Sequence, residues 1–110
     1  MIKCYVEDKI LLIEVLSAEL DHHVARDVRE EVDSILMKKQ IDYIIFDFQC
    51  VNFMDSSGIG VIIGRYKKIV NHGGRVSVIN MNSRVKKLFN LSGMSKIISV
   101  YDTFEDAINS

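Results

Sequence analysis

The chain has 110 residues, 48% of them hydrophobic and 26% charged, the size and composition of one folded domain rather than of a disordered segment. With 14 basic against 15 acidic residues the net charge is -1, which excludes a general nucleic-acid binder relying on a basic excess. Cys4 and Cys50 lie far apart and outside any C-x-x-C spacing, so no metal, redox or disulfide framework is expected; both are read as small core hydrophobes in a reducing compartment.

The segment Met1 to Asp8 is charged and lacks the apolar core of a signal peptide. No apolar run approaches the length needed to span a bilayer, so a soluble, cytoplasmic protein without membrane contact is expected. There is no proline, no linker and no internal repeat, which favours a single domain over residues 1–110.

Ile2 to Val6 and Ile10 to Leu16 read as two strands joined by a turn at Asp8-Lys9. Asp21 stands where a helix N-cap is expected. After it Val24, Val28, Val32, Ile35 and Leu36 recur at helical spacing, up to Lys38-Lys39. Tyr43 to Phe48 is nearly all apolar, the pattern of a central strand covered on both faces. A second helix is predicted from about Ser57, with Ile59, Ile62, Ile63, Tyr66 and Ile69 or Val70 buried, ending at His72-Gly73-Gly74. Arg75 to Ile79 is the next strand, followed by a helix that Asn82 or Ser83 caps and Gly93 ends. Ile97 to Val100 is the last strand, and Asp102-Thr103-Phe104-Glu105 has the spacing of a capping box opening a final helix. The order β-β-α-β-α-β-α-β-α implies an α/β fold: one mixed, mostly parallel sheet with about four packed helices.

In such sheets ligands gather beyond the carboxyl ends of the strands, and Asp55-Ser56-Ser57 lies there, at a helix start. Local chemistry leaves two readings open. Either serine can cap the helix, or one of them can accept a phosphate, which free N–H groups at a helix N-terminus would favour. Gly58, Gly60 and Gly64 inside the following helix each cost about 1 kcal/mol relative to alanine, which suggests close approach of another backbone, in the core or on a partner. A serine hydrolase is disfavoured because Gly-x-Ser-x-Gly is absent. The neighbouring His22 and His23 are a poor metal pair, since adjacent helical side chains diverge by about 100°. Gly58-x-Gly60-x-x-x-Gly64 is a weak nucleotide signal without the P-loop lysine. Arg84, Lys86 and Lys87 read as a solvated face.

Phe53-Met54-Asp55-Ser56-Ser57-Gly58-Ile59-Gly60 with Gly64-Arg65-Tyr66-Lys67 resembles the signature of the STAS-domain anti-sigma factor antagonists, in particular the sporulation anti-sigma F factor antagonists. Glu19-Leu20-Asp21-His22-His23 and Ser92-Gly93-Met94 are similar to the same family, and the resemblance covers essentially the whole chain. Ala18 stands where the family pattern has glycine. The resemblance implies a non-enzymatic partner switch. The unphosphorylated form binds an anti-sigma factor that is also an ATP-dependent serine kinase, phosphorylation of Ser56 ends that binding, and a serine phosphatase resets it. It also implies a partner-binding surface including Asp21, extended here to Asp55, Ser57 and Gly58 and to His22, Met81 and Asn82. The sequence itself carries no sign of a bound cofactor or metal, and its charge balance argues against direct nucleic-acid contact.

Overall fold

The computed structural model describes residues 1–110. Strands β1 (Ile2–Glu7) and β2 (Ile10–Val15) form an antiparallel hairpin in the register Glu7↔Ile10. Asp8 and Lys9 both take positive φ, 50° and 68°, the backbone that the right-handed twist of a two-residue hairpin demands. β2 then pairs in parallel with β4 (Tyr43–Asp47), β4 with β6 (Arg75–Ile79) and β6 with β7 (Ser99–Tyr101). The result is a five-stranded sheet in the order β1-β2-β4-β6-β7, parallel except for the hairpin. This is the mixed, mostly parallel sheet expected, and β4 at its centre is buried on both faces.

The two faces are unequal. Leu11, Ile13, Ile44, Phe46, Val76 and Val78 point to one side, where helices α1 (His22–Lys38), α2 (Ser56–Ile69) and α3 (Ser83–Leu91) cover them. Tyr43, Ile45 and Ile79 point to the other, where only the short α4 (Phe104–Ile108) sits, through Ala107. The Tyr43 hydroxyl donates to the Ala107 carbonyl at 3.0 Å and shares a 2.7 Å hydrogen bond with Ser77, so the polar atoms under α4 are satisfied.

Several boundaries move for physical reasons. The cap of α4 is Thr103, whose hydroxyl accepts from Asp106 N–H at 3.0 Å, while Asp102 turns away toward Lys86 Nζ at 3.5 Å. β7 starts at Ser99 rather than Ile97, because Gly93 (φ 82°) begins a tight 3-10 turn over Met94–Lys96, and Ile97 and Ile98 donate back to the Met94 carbonyl. α2 gives way to a 3-10 turn at Val70–His72, which Gly73 closes in the left-handed conformation the sequence predicts. Cys4 is half-buried, and burial, then the nearby Glu31 carboxylate, pushes its thiol up to about 11. Cys50 is exposed, not a core residue as expected, because it lies in the loop after β4 rather than on an element. No helix is long and apolar enough to cross a membrane.

Candidate functional site

Two further strands, too short to be read from the sequence, organise the site. β3 (Glu19–Leu20) and β5 (Phe53–Met54) pair in parallel as a separate two-stranded sheet, in the register Glu19↔Phe53 and Leu20↔Met54. Leu20 and Met54 point inward and are buried, whereas Glu19 and Phe53 point out. The Ala18 carbonyl accepts from the N–H groups of Asn52 and Phe53 at 2.7 and 3.2 Å, which pins the start of the pair. Ala18 keeps negative φ, so an alanine in place of the family's glycine introduces no strain.

The residue after each strand is an aspartate, and each aspartate caps a helix. Asp21 Oδ1 accepts from the N–H groups of His23 and Val24 at 3.1 and 3.0 Å, at the start of α1. Asp55 Oδ1 accepts from Ser57 N–H at 2.8 Å, at the start of α2. Because the strands are in register, the two caps stand side by side, roughly 5 Å apart in backbone by the usual strand spacing. The Asp21 carboxyl is held below the ordinary carboxylate range, first by the Val24 N–H, then by that of His23 and the neighbouring imidazoles.

This geometry removes the capping reading of the serines. The cap of α2 is Asp55, so neither Ser56 nor Ser57 is occupied in capping, and the helix begins at Ser56. Ser56 is exposed, in the first helical position, with no side-chain hydrogen bond. Ser57 is half-buried and turned toward α1. The helix end is also less open to an anion than expected: Asp55 takes the Ser57 N–H, and Gly58 and Ile59 donate to the Asp55 carbonyl at 3.1 and 3.4 Å. The N–H groups expected to hold a phosphate at this helix end are thus mostly occupied by Asp55.

The other expected residues divide into those displayed and those beneath. His22 is exposed in the first turn of α1, its ring stacked on His23 at 4.3 Å between centroids rather than diverging. Asn82 is exposed, caps α3 through Val85 N–H at 2.8 Å, and ties the loop before β5 by donating to the Val51 carbonyl and Asn52 Oδ1. Met81 is 9% exposed and belongs to the core, and Gly58 is buried, so neither offers side-chain surface; both support the face from below. A Cβ on Gly58 would lie 3.0 Å from Leu20 Cγ and 3.1 Å from Met54 Cβ. Within the chain, close approach holds for Gly58 alone, and it comes from side chains of the small sheet rather than from another backbone. Gly60 and Gly64 face nothing within 4 Å. With Gly58 packed inside a helix, the glycine series forms no phosphate-cradling loop.

Two features are not legible in the sequence. Phe53, 48% exposed, is an aromatic displayed two residues from Asp55. Its only signal is the alternation across Phe53-Met54, too short to register as a strand. Arg65 is 5% exposed, with Nε 3.0 Å from Asp33 Oδ1, and links α2 to α1.

Comparison with known proteins agrees with this architecture. The model of the family described as STAS domain matches residues 2–107. The anti-sigma F factor antagonist of Paenibacillus polymyxa is 42% identical over 98 residues, covering 89% of this chain and 84% of that protein. The solved structure of the anti-sigma factor antagonist SpoIIAA in its unphosphorylated form superposes with a TM-score of 0.77 at 28% identity, covering 99% of this chain and 96% of the other. The Bacillus cell fate determinant SpoIIAA in the phosphorylated form gives 0.75 at 29%, covering 99% and 97%. The paired strands, the aspartate caps and this match over nearly the full length lead to one conclusion: the chain belongs to the STAS domain family.

Proposed function

We propose that this protein is an anti-sigma factor antagonist working by partner switching. Its unphosphorylated form binds an anti-sigma factor that is also an ATP-dependent serine kinase, and so frees the sigma factor. Phosphorylation of Ser56 ends the binding, and a serine phosphatase restores it. The observation that carries this reading is the Ser56 hydroxyl: exposed, unbonded, and held at the first position of α2 beside two aspartate caps. The names of its relatives, anti-sigma F factor antagonists among them, support it, as does the existence of SpoIIAA in unphosphorylated and phosphorylated forms.

The physical effect is local charge. A phosphoserine adds roughly -1.5 to -2 charges beside Asp55 and near Asp21. Like charge brought into an interface costs several kcal/mol, and about 4 kcal/mol weakens binding on the order of a thousandfold. The fold need not change, because Ser56 makes no bond that phosphorylation would break. The contact surface comprises Asp21, His22, Asp55, Ser57 and Asn82, with Gly58 and Met81 holding it in place. The protein itself performs no catalysis in this scheme.

The test is calorimetric titration of the cognate anti-sigma factor kinase with this protein in both forms. The unphosphorylated protein and Ser56→Ala should bind, and the phosphoprotein about a thousandfold more weakly. If the unphosphorylated protein captures no anti-sigma factor, the reading falls. Titration against kinases of the sporulation and general stress pathways separates those two branches.

A further inference from the structure

We propose that the groove between α1 and α2, lined by Arg26, Arg29 and Arg65, binds a phosphate group. The groove holds about 510 Å³ and is lined by His22, Arg26, Arg29, Ser57, Gly60 and Arg65 among others, with no carboxylate in the lining. The stripe Ser57, Gly60, Val61, Arg65 keeps to the helical repeat and faces α1, while His22, Arg26 and Arg29 face back across it.

Arg65 is the anchor. Its side chain is 6% exposed and its ion-pair partner Asp33 Oδ1 is 3.0 Å from Nε, yet that approach is not aligned as a hydrogen bond, and Nη1 has no partner at all. Both nitrogens are buried, so Arg65 contributes its positive charge to the groove lining rather than these N–H groups. Asp33 is the only carboxylate paired with it, and Asp33 is shared with Lys68 Nζ at 3.8 Å. Arg26 has only a 3.9 Å approach to the half-exposed Asp27, and Arg29 has no ion pair. Burial pulls the Arg65 guanidinium below its ordinary range, the Asp33 carboxylate works against that, and the like charge of Arg29 adds a smaller lowering. Gly60 supplies a separate indication. A Cβ there would meet no protein atom within 4 Å, so packing does not require glycine in this helix interior, but a side chain would enter the groove.

A phosphate dianion fits this donor set, forked guanidinium donors and a serine hydroxyl, with Asp33 the one carboxylate that already pairs with Arg65. Two sources share that chemistry, a free phosphate or small phosphate ester, and the phosphoserine on α2. Only the second source rests on the proposed role of Ser56. The first arm of the test titrates inorganic phosphate into the unphosphorylated protein while the arginine Nε–H signals are monitored by NMR. Saturable shifts at Arg29 and Arg65 are expected, with affinity about tenfold lower in Arg29→Ala, an exposed position whose loss leaves the fold intact. Arg65→Gln should abolish the response, with a thermal melt run beside it to confirm folding. The second arm tracks the 31P resonance of the phosphoprotein against pH. A titration midpoint below that of free phosphoserine, about 6, and restored by Arg29→Ala, assigns the groove to the chain's own phosphoserine. A phosphoprotein that still binds inorganic phosphate with unchanged affinity assigns it to a free ligand. No saturable response to phosphate, together with a phosphoserine that titrates near 6 in both wild type and Arg29→Ala, overturns the proposal.

Discussion

The start of α1 and the start of α2 are the same device built twice: a two-residue strand with its second side chain buried, an aspartate cap in extended conformation, then a helix. They differ in the residues after the aspartate. On α1 the cap accepts two N–H groups and the next residues are a stacked histidine pair. On α2 the cap accepts one and the next residues are serines, the first with a free hydroxyl. The third helical position is half-buried Val24 on α1 but Gly58 on α2, because α2 lies against Leu20 and Met54 too closely for a Cβ. The first start thus presents a histidine pair on a doubly bonded cap, while the second presents a free hydroxyl on a tightly seated helix.

Breaking the difference should have effects that descend in size. Placing a phosphate on Ser56 should cost about a thousandfold in binding of the anti-sigma factor, with Ser56→Asp in the same direction but smaller, since it adds one charge rather than nearly two. Calorimetry of the variant proteins measures both. Giving α2 the residue α1 carries, Gly58→Val, should destabilise the fold by about 1–3 kcal/mol through overpacking against Met54 Cβ and Leu20, seen as a lower denaturant midpoint. Removing the cap at Asp55 by alanine should cost about 0.5–2 kcal/mol in the same assay. Asp21→Ala should cost more than Asp55→Ala, because it orphans two N–H groups instead of one.

The Asp21 contribution carries a pH signature. Its carboxyl is lowered in the folded state, so the stabilisation is present above the ordinary carboxylate pKa and is lost as pH falls through the folded value. Asp21→Asn should flatten the acid limb of the stability curve, measured by circular dichroism from neutral to strongly acidic pH. The smallest effect is at Gly64, where a Cβ meets nothing. There Gly64→Ala should stabilise the protein by up to about 1 kcal/mol, a rise of a few degrees in Tm by calorimetry.

The main sheet and the helices are legible in the sequence because their periodicities are long: Val24 to Leu36 at helical spacing, Tyr43 to Phe48 as an apolar run. β3 and β5 are not, since two residues carry no period and their pairing joins positions far apart in sequence. Without them, the reason Asp21 and Asp55 stand together stays hidden. The sequence offers the serines as caps of α2 without singling out Asp55, because aspartate and serine are equally good caps, and only the backbone at Asp55 decides between them. Apolar spacing runs the buried stripe of α2 through Ile63 and Tyr66, which are only half-buried. The structure buries Val61 and Arg65 instead, because Asp33 on α1 offers the arginine a counter-charge that apolar periodicity does not register. The displayed serine itself is legible from the motif around it, while its freedom from capping requires the structure.

The most direct measurement is mass spectrometry of the peptide spanning Asp55 to Arg65 after incubation with the cognate kinase and ATP, for wild type and Ser56→Ala. Phosphate on Ser56 in the wild type and none in the variant is the expected result. Phosphate on Ser57, or on the Ser56→Ala protein, would contradict the assignment of the switch to the uncapped serine.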